Sequence, residues 1–288
     1  MKISIFTSYT NPEERMDPWK ESLKCYEDFA DEVVVVGQKW KYEFSFDQIG
    51  KVFQEGFIKS SGDWVIKMDI DTIFHENDFE RIKYYLEKYK NFPGICLVKN
   101  QIFTPDRFHT KSRMCFILNK KKFPNIMLNG GGDLCDPTLN GQLLNEHNVP
   151  SISVPFWNYD SVFKSKDVIA EDRARFARAW NRHFGDYGNR GGGDIDAAYE
   201  AWFNMIKERY KKHIYKLSPE DHPIYFQKKL KNLQKNQFGY NAFGLQDTLN
   251  RSVNDYYSAI RERYYSQFKL KLTNAKRNNF IDSNLQQG

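Results

Sequence analysis

Several things are scarce in this sequence, and each scarcity removes a class of protein. Only four cysteines occur in 288 residues, Cys25, Cys96, Cys115 and Cys135, and no two form a Cys-x-x-Cys pair. That spacing offers neither a zinc site nor a disulfide scaffold and fits a reducing, cytoplasmic compartment. No window approaches the roughly 18 apolar residues of a membrane span, and the opening run around Ile3, Ile5 and Phe6 is too short for a signal peptide. The expectation is a soluble chain with no transmembrane segment. No period of about 20–50 residues recurs, which argues against a solenoid. Charge of one sign is also scarce: 43 Lys and Arg against 37 Asp and Glu leave a net +6. The positive charge is diffuse, although Lys and Arg concentrate in the second half, where a phosphate-bearing ligand or a lipid surface would suit them. No nucleic-acid motif accompanies it, so no nucleic-acid partner is expected; a metal-dependent nuclease or nucleic-acid binder is the competing reading of the acidic residues.

What is present describes a globular protein. Hydrophobic residues make up 40% and charged residues 28%, enough for a core of ordinary size. Aromatic residues reach 16%, which suits a ring-filled core or stacking surfaces. Residues 3–7 read as a strand, 19–29 as a helix and 32–37 as a second strand whose four consecutive valines suit burial on both faces. Strand, helix and strand in so short a span form a βαβ unit and predict a parallel sheet there. Residues 47–60 form an amphipathic helix, 61–74 an apolar strand, and Asn77 with Glu80 forms a capping-box pattern before a helix. Short strands are expected at 95–98 and 114–118, with 100–113 as a loop over a ligand, and 152–157 as a last strand. A helix over 170–184 precedes the glycine-rich break at 188–193, and three further helices over 194–212, 219–237 and 245–268 follow. The domain reading is a catalytic domain over 1–187, a linker over 188–193, a helical extension over 194–272 and a polar tail over 273–288.

The strand over 61–74 carries the functional signal. It contains Met68-Asp69-Ile70-Asp71-Thr72, two carboxylates one residue apart. Strand alternation predicts that Lys67, Asp69 and Asp71 share one face. Two neighbouring carboxylates repel unless a cation lies between them, and the C-terminal end of a strand in an open α/β sheet is where ligands bind. A second signal is Leu128-Asn129-Gly130-Gly131-Gly132-Asp133, three glycines leading directly into an acid, with Asp136 following. Glycines let backbone approach a ligand closely, which suits an aspartate presented from a tight loop.

The opening strand with its Thr7-Ser8-Tyr9-Thr10-Asn11 loop, Ser61-Gly62-Asp63-Trp64 and the Asp-x-Asp block together resemble the nucleotide-diphospho-sugar glycosyltransferases of the GT-A fold, near family 2. The resemblance spans roughly residues 1 to 165. It implies a Rossmann-like α/β architecture, a mixed and mostly parallel sheet flanked by helices, with a C-terminal helical extension here. It implies transfer of a sugar from a nucleotide-diphospho-sugar donor to a hydroxyl of a glycan, lipid-linked or protein acceptor, with Mn²⁺ or Mg²⁺ as cofactor. By the resemblance Asp71 is a direct metal ligand, and Asp69 reaches the donor ribose or a metal-bound water. Asn158 or Asp160 stands where relatives often place a histidine ligand, and Thr7, Tyr9 and Lys67 fall on the donor side. Asp133 is the expected catalytic base, with Asp136 as second choice. A nucleotidyltransferase on the same fold is disfavoured because residues 7–15 contain no glycine.

Overall fold

The computed structural model describes residues 1–37, 43, 45–185, 193–239 and 250–265. The glycine-rich break at 188–192, the ends of the helix expected over 245–268, and the tail lie outside the described residues. Eight strands form the main sheet: β1 (Ile3–Ser8), β2 (Glu32–Val36), β3 (Trp64–Asp69), β4 (Thr72–Phe74), β5 (Gly94–Thr104), β6 (Arg107–Leu118), β10 (Ser151–Asn158) and β11 (Tyr215–Lys216). Between β6 and β10, the strands β7 (Met127–Gly130), β8 (Asp136–Leu139) and β9 (Gln142–Leu143) form a separate three-stranded sheet. The main order is β2-β1-β3-β6-β5-β10-β4, with β11 beside β6. Strands β1, β2, β3, β5, β10 and β11 run one way, and only β4 and β6 oppose them. This is the mixed, mostly parallel sheet flanked by helices that is expected from the sequence.

Helices cover both faces. On one side α1 (Trp19–Phe29), α3 (Phe79–Lys88) and α6 (Ile224–Lys231) bury Cys25, Tyr26, Phe29, Ile82, Leu86, Phe226 and Leu230 against Trp64, Ile66 and Met68 of β3. On the other side α2 (Phe46–Lys59) and the small sheet bury Phe53, Phe57 and Leu128 against Phe6 and Val65. Val33, Val34 and Val35 of β2 are only partly buried, because this strand lies at the sheet edge, while Val36 is buried. The rings of Phe176, Trp180 and Phe184 on α4 (Lys166–Phe184) surround Phe46 at 5.5, 5.4 and 5.4 Å between centroids. Beyond 193, α5 (Ile195–Tyr210) is capped by Asp194, whose side chain accepts from Ala197 N, and places Tyr199, Trp202 and Ile206 beside Phe103, Ile169 and Ala170.

Four local expectations are corrected. Residues 100–113 are not a loop, since β5 and β6 form one long antiparallel hairpin through them. Asn100, Gln101, Thr104, Asp106, Arg107, His109 and Thr110 are buried, and Thr110 Oγ1 donates to Asn100 Oδ1 across the hairpin at 3.0 Å, so a polar stretch mimics a loop. Asn77 is not an N-cap: His75 caps a 3-10 turn, Glu76–Asp78, and α3 begins at Phe79. The helix expected over 219–237 is a 3-10 turn, Pro219–Asp221, followed by the eight-residue α6, because Pro223 interrupts it. Finally, β10 is not the last strand, for β11 adds to β6.

Candidate functional site

The main sheet splits where the carboxylates emerge. Strand β3 pairs with β6 only at Val65–Leu118 and Ile66–Ile117, whereas its pairing with β1 continues to Ser8–Asp69. Beyond Ile66 the ladder toward β6 is therefore open, and the chain leaves β3 to reach β4 on the far edge beside β10. The C-terminal end of a strand beside such an opening is where an open α/β sheet binds ligands.

The strand ends at Asp69, so alternation does not carry through to Asp71. Residues Ile70 and Asp71 form a turn, and this corrects the expectation that the two acids project as same-face neighbours. The turn is held from beneath by α1. Ser22 Oγ donates to Ile70 O at 2.6 Å, and the Tyr26 hydroxyl lies 2.9 Å from Asp69 O and 2.6 Å from Thr72 O. Tyr26 was legible in the sequence only as a member of the apolar stripe of α1, and Ser22 was not singled out at all. Asp69 is left exposed and Asp71 half-buried.

Asp71 Oδ1 accepts from Asn158 Nδ2 at 3.2 Å and from Thr72 Oγ1 at 3.1 Å. Burial, and then the negative charges of Asp160, Asp69 and Asp17, push its carboxyl up to about 7, with Lys164 opposing. Asp160 behaves oppositely: burial works against its charge, but Arg173, Lys99 and Lys164 hold it below the usual carboxylate range. Arg173 reaches it directly at 2.8 Å. Around this pair a charged network ties three segments together. Lys164 Nζ contacts Asp17 at 2.8 Å and Asp172 at 2.9 Å, and Arg15 contacts the same two acids at 3.2 and 3.0 Å. Arg175 also pairs with Asp172. None of these supporting residues was legible in the sequence, because partners such as Arg15 and Asp172 lie 157 positions apart.

On the other side of Asp69 stands a buried cation. Lys67 Nζ lies 3.2 Å from Cys135 O and 3.1 Å from Cys135 Sγ, over the Phe53 ring at 4.6 Å. Burial disfavours its charge, but the fields of Cys135, Asp69 and Asp136 outweigh that and raise its pKa. Lys67 thus underlies the triple-glycine turn and is not itself open to a donor. That turn joins β7 to β8, with Gly131 and Leu134 in left-handed conformations. It brings Asp136 into the field of Lys67, Asp133 and Asp69; burial raises the Asp136 carboxyl and Lys67 partly offsets it. Asp133 is exposed. An apolar groove of about 560 Å³ adjoins the turn, lined by Phe46, Gly50, Ile58, Met127, Leu128 and Leu134. Of the other donor-side residues, Thr7 is buried on β1 and its Oγ1 has no hydrogen-bond partner among the described residues. Tyr9 leans on Trp19, ring centroids 5.9 Å apart.

The oxygen-rich half of the site suits a hard divalent cation. Asn158, whose Nδ2 donates to Asp71, has its Oδ1 buried without a hydrogen-bond partner among the described residues. Among the described residues no three His, Cys, Asp or Glu side chains come together to enclose an ion alone.

No family model matches the chain, and no curated protein matches it. Among solved structures it is similar to S. aureus TarS 1-349 in complex with UDP, at 11% identity over 76% of this chain and 77% of that one, TM-score 0.35. The complex of the same protein with UDP-GlcNAc gives 12% identity over 77% and 78%, TM-score 0.35. Against a longer TarS chain the match is 10% identical and spans 44% of that chain, less than half its length, with TM-score 0.35. A197 from STIV matches at 14% identity over 43% of this chain and 66% of that one, TM-score 0.26.

Proposed function

We propose that the protein transfers a sugar from a nucleotide-diphospho-sugar to an acceptor hydroxyl, with a divalent cation at Asp71. The observation that carries this reading is the crowding of Asp71 by Asp69, Asp160 and Asp17 at the mouth of the split sheet, where Asn158 Nδ2 donates to Asp71 Oδ1 at 3.2 Å. An acidic site of this kind, bordered by Arg15, Lys164 and Arg173, matches a bound cation and its diphosphate in charge. The resemblance in the Asp-x-Asp block points to the same ligand.

In this reading Asp71 and Asn158 supply oxygens to the cation, and Asp160, fixed by Arg173, stands behind them. The cation, when bound, acts as a Lewis acid on the departing nucleoside diphosphate. Thr7 and Tyr9, at the end of β1, border the nucleoside, and Asp69, exposed at the end of β3, faces the ribose. Lys67 offsets part of the negative charge of Asp69 and Asp136 on the floor of the site. Asp133, exposed on the turn above them, removes the proton from the acceptor hydroxyl; Asp136 is buried next to a lysine and serves to fix the turn.

The variants Asp133→Asn and Asp136→Asn separate these roles. Asp133→Asn should lower kcat by about 10²–10⁴-fold with donor KM unchanged, the usual contribution of general base catalysis. Near wild-type turnover in Asp133→Asn, with Asp136→Asn inactive, would reassign the base.

A further inference from the structure

Residues 253–265 form a helix that is docked by its polar side. An amphipathic helix on a globular protein normally buries its apolar stripe and leaves its charges in water. Here Glu262 faces inward, its oxygens 2.7 Å from His109 Nε2 and 2.8 Å from Lys212 Nζ, and the small Ala259 is fully buried. Arg263 lies over the Tyr215 ring at 4.4 Å, and Asp255 is turned back to the Ser252 hydroxyl at 2.8 Å. The outward stripe is apolar: Val253, Tyr257 and Ile260, at i, i+4 and i+7, are 70%, 69% and 52% exposed. Tyr256 and Tyr264 widen it.

Charge selects what covers this stripe. The two acids of the helix, Asp255 and Glu262, are engaged on the side away from it, whereas Arg261 is exposed along its edge. The sequence over 266–288 adds Lys269, Lys271, Lys276 and Arg277 against a single acid, Asp282. Tyrosine combines an apolar ring with a polar tip and settles at a water–lipid boundary, and a cluster of Lys and Arg beside an amphipathic helix is attracted to anionic headgroups.

We propose that the helix over 253–265 docks the protein on an anionic lipid bilayer through Val253, Tyr257 and Ile260. Its anchor His109 lies near the start of β6, which opposes β3, so the helix stands at the end of the sheet where β1 and β3 terminate. A bilayer engaged there would present a lipid-linked acceptor to the end that carries Asp69 and Asp71. That consequence rests on the proposed sugar transfer; the docking itself does not.

The test is co-sedimentation of the full chain, without donor, with vesicles of phosphatidylcholine alone and of phosphatidylcholine mixed with phosphatidylglycerol. Binding should be at least about tenfold stronger to the mixed vesicles, weaken with salt, and fall about tenfold in Tyr257→Ser/Ile260→Ser. Hydrogen exchange on the unmodified protein gives a readout that no misfolded variant can confuse: amides over 253–265 should gain protection on adding mixed vesicles. Three results would each overturn the proposal. One is wild-type protein left in the supernatant with both vesicles, and another is unchanged exchange over 253–265. The third is self-association in sedimentation velocity, abolished by the double substitution, in a protein that ignores vesicles, which would make the stripe an interface between copies.

Discussion

Asp71 and His222 show how burial acts on single ionisable groups in opposite directions. Asp71 is pushed up to about 7 by burial and by surrounding acids, and a positive ligand would relieve it. His222 is fully buried; its Nε2 lies 2.6 Å from Pro105 O, which can only accept, so Nε2 carries the hydrogen and Nδ1 accepts from the Tyr159 hydroxyl at 2.8 Å. Burial pushes its pKa from 6.5 down to about 4. The unfolded chain therefore binds the proton more readily, and stability is full above about pH 6.5 and lost as pH falls toward 4. The shift converts to about 3 kcal/mol at most. Urea midpoints at pH 7 and pH 5 should differ by more in the wild type than in His222→Gln, and equal differences would show that His222 is not the titrating group. Its partners were invisible in the sequence because Tyr159, just past β10, and Pro105, in the β5–β6 turn, lie far from it along the chain.

At the scale of elements, strands and helices with strong periodicity were legible. The spans of β1, α1 and α2 follow their apolar patterns almost residue for residue. Failures came where tertiary contacts overrode local chemistry, as in the polar β5–β6 hairpin and in the turn that separates Asp71 from β3. A further element-level feature concerns Gly50 of α2. A methyl group there would stand 2.4 Å from Leu134 O and 2.6 Å from Leu128 O, the two ends of the triple-glycine turn. Both neighbours are backbone, so Gly50→Ala must displace the turn. Overpacking costs about 1–3 kcal/mol, against a gain of about 1 kcal/mol in helix propensity. A net loss of melting temperature is expected, with turnover falling more than donor affinity; an unchanged melting point and rate would show that the turn does not depend on this contact.

Over the whole molecule, the sheet order places the ends of β1 and β3, the β7–β8 turn and the β10–α4 connection around one opening. The parallel start of the sheet and the Asp-x-Asp block were readable in order along the chain. The network of Arg15, Asp17, Lys164, Asp172 and Arg173 was not, since it exists only once those connections meet. Among the described residues no helix is long and apolar enough to cross a membrane; the proposed lipid docking rests on the exposed stripe of 253–265.

The central claim is that Asp71 binds a divalent cation together with a nucleoside diphosphate, and calorimetric titration of UDP, GDP, ADP and CDP in turn into the protein with and without Mn²⁺ tests it most directly. Wild-type protein should bind at least one of them at least about tenfold more tightly with Mn²⁺ present, and Asp71→Ala should lose that enhancement while keeping its fold, since a ligand's gain requires a differential interaction with the site. If the Mn²⁺ enhancement persists undiminished in Asp71→Ala, the cation is held elsewhere and the account is contradicted.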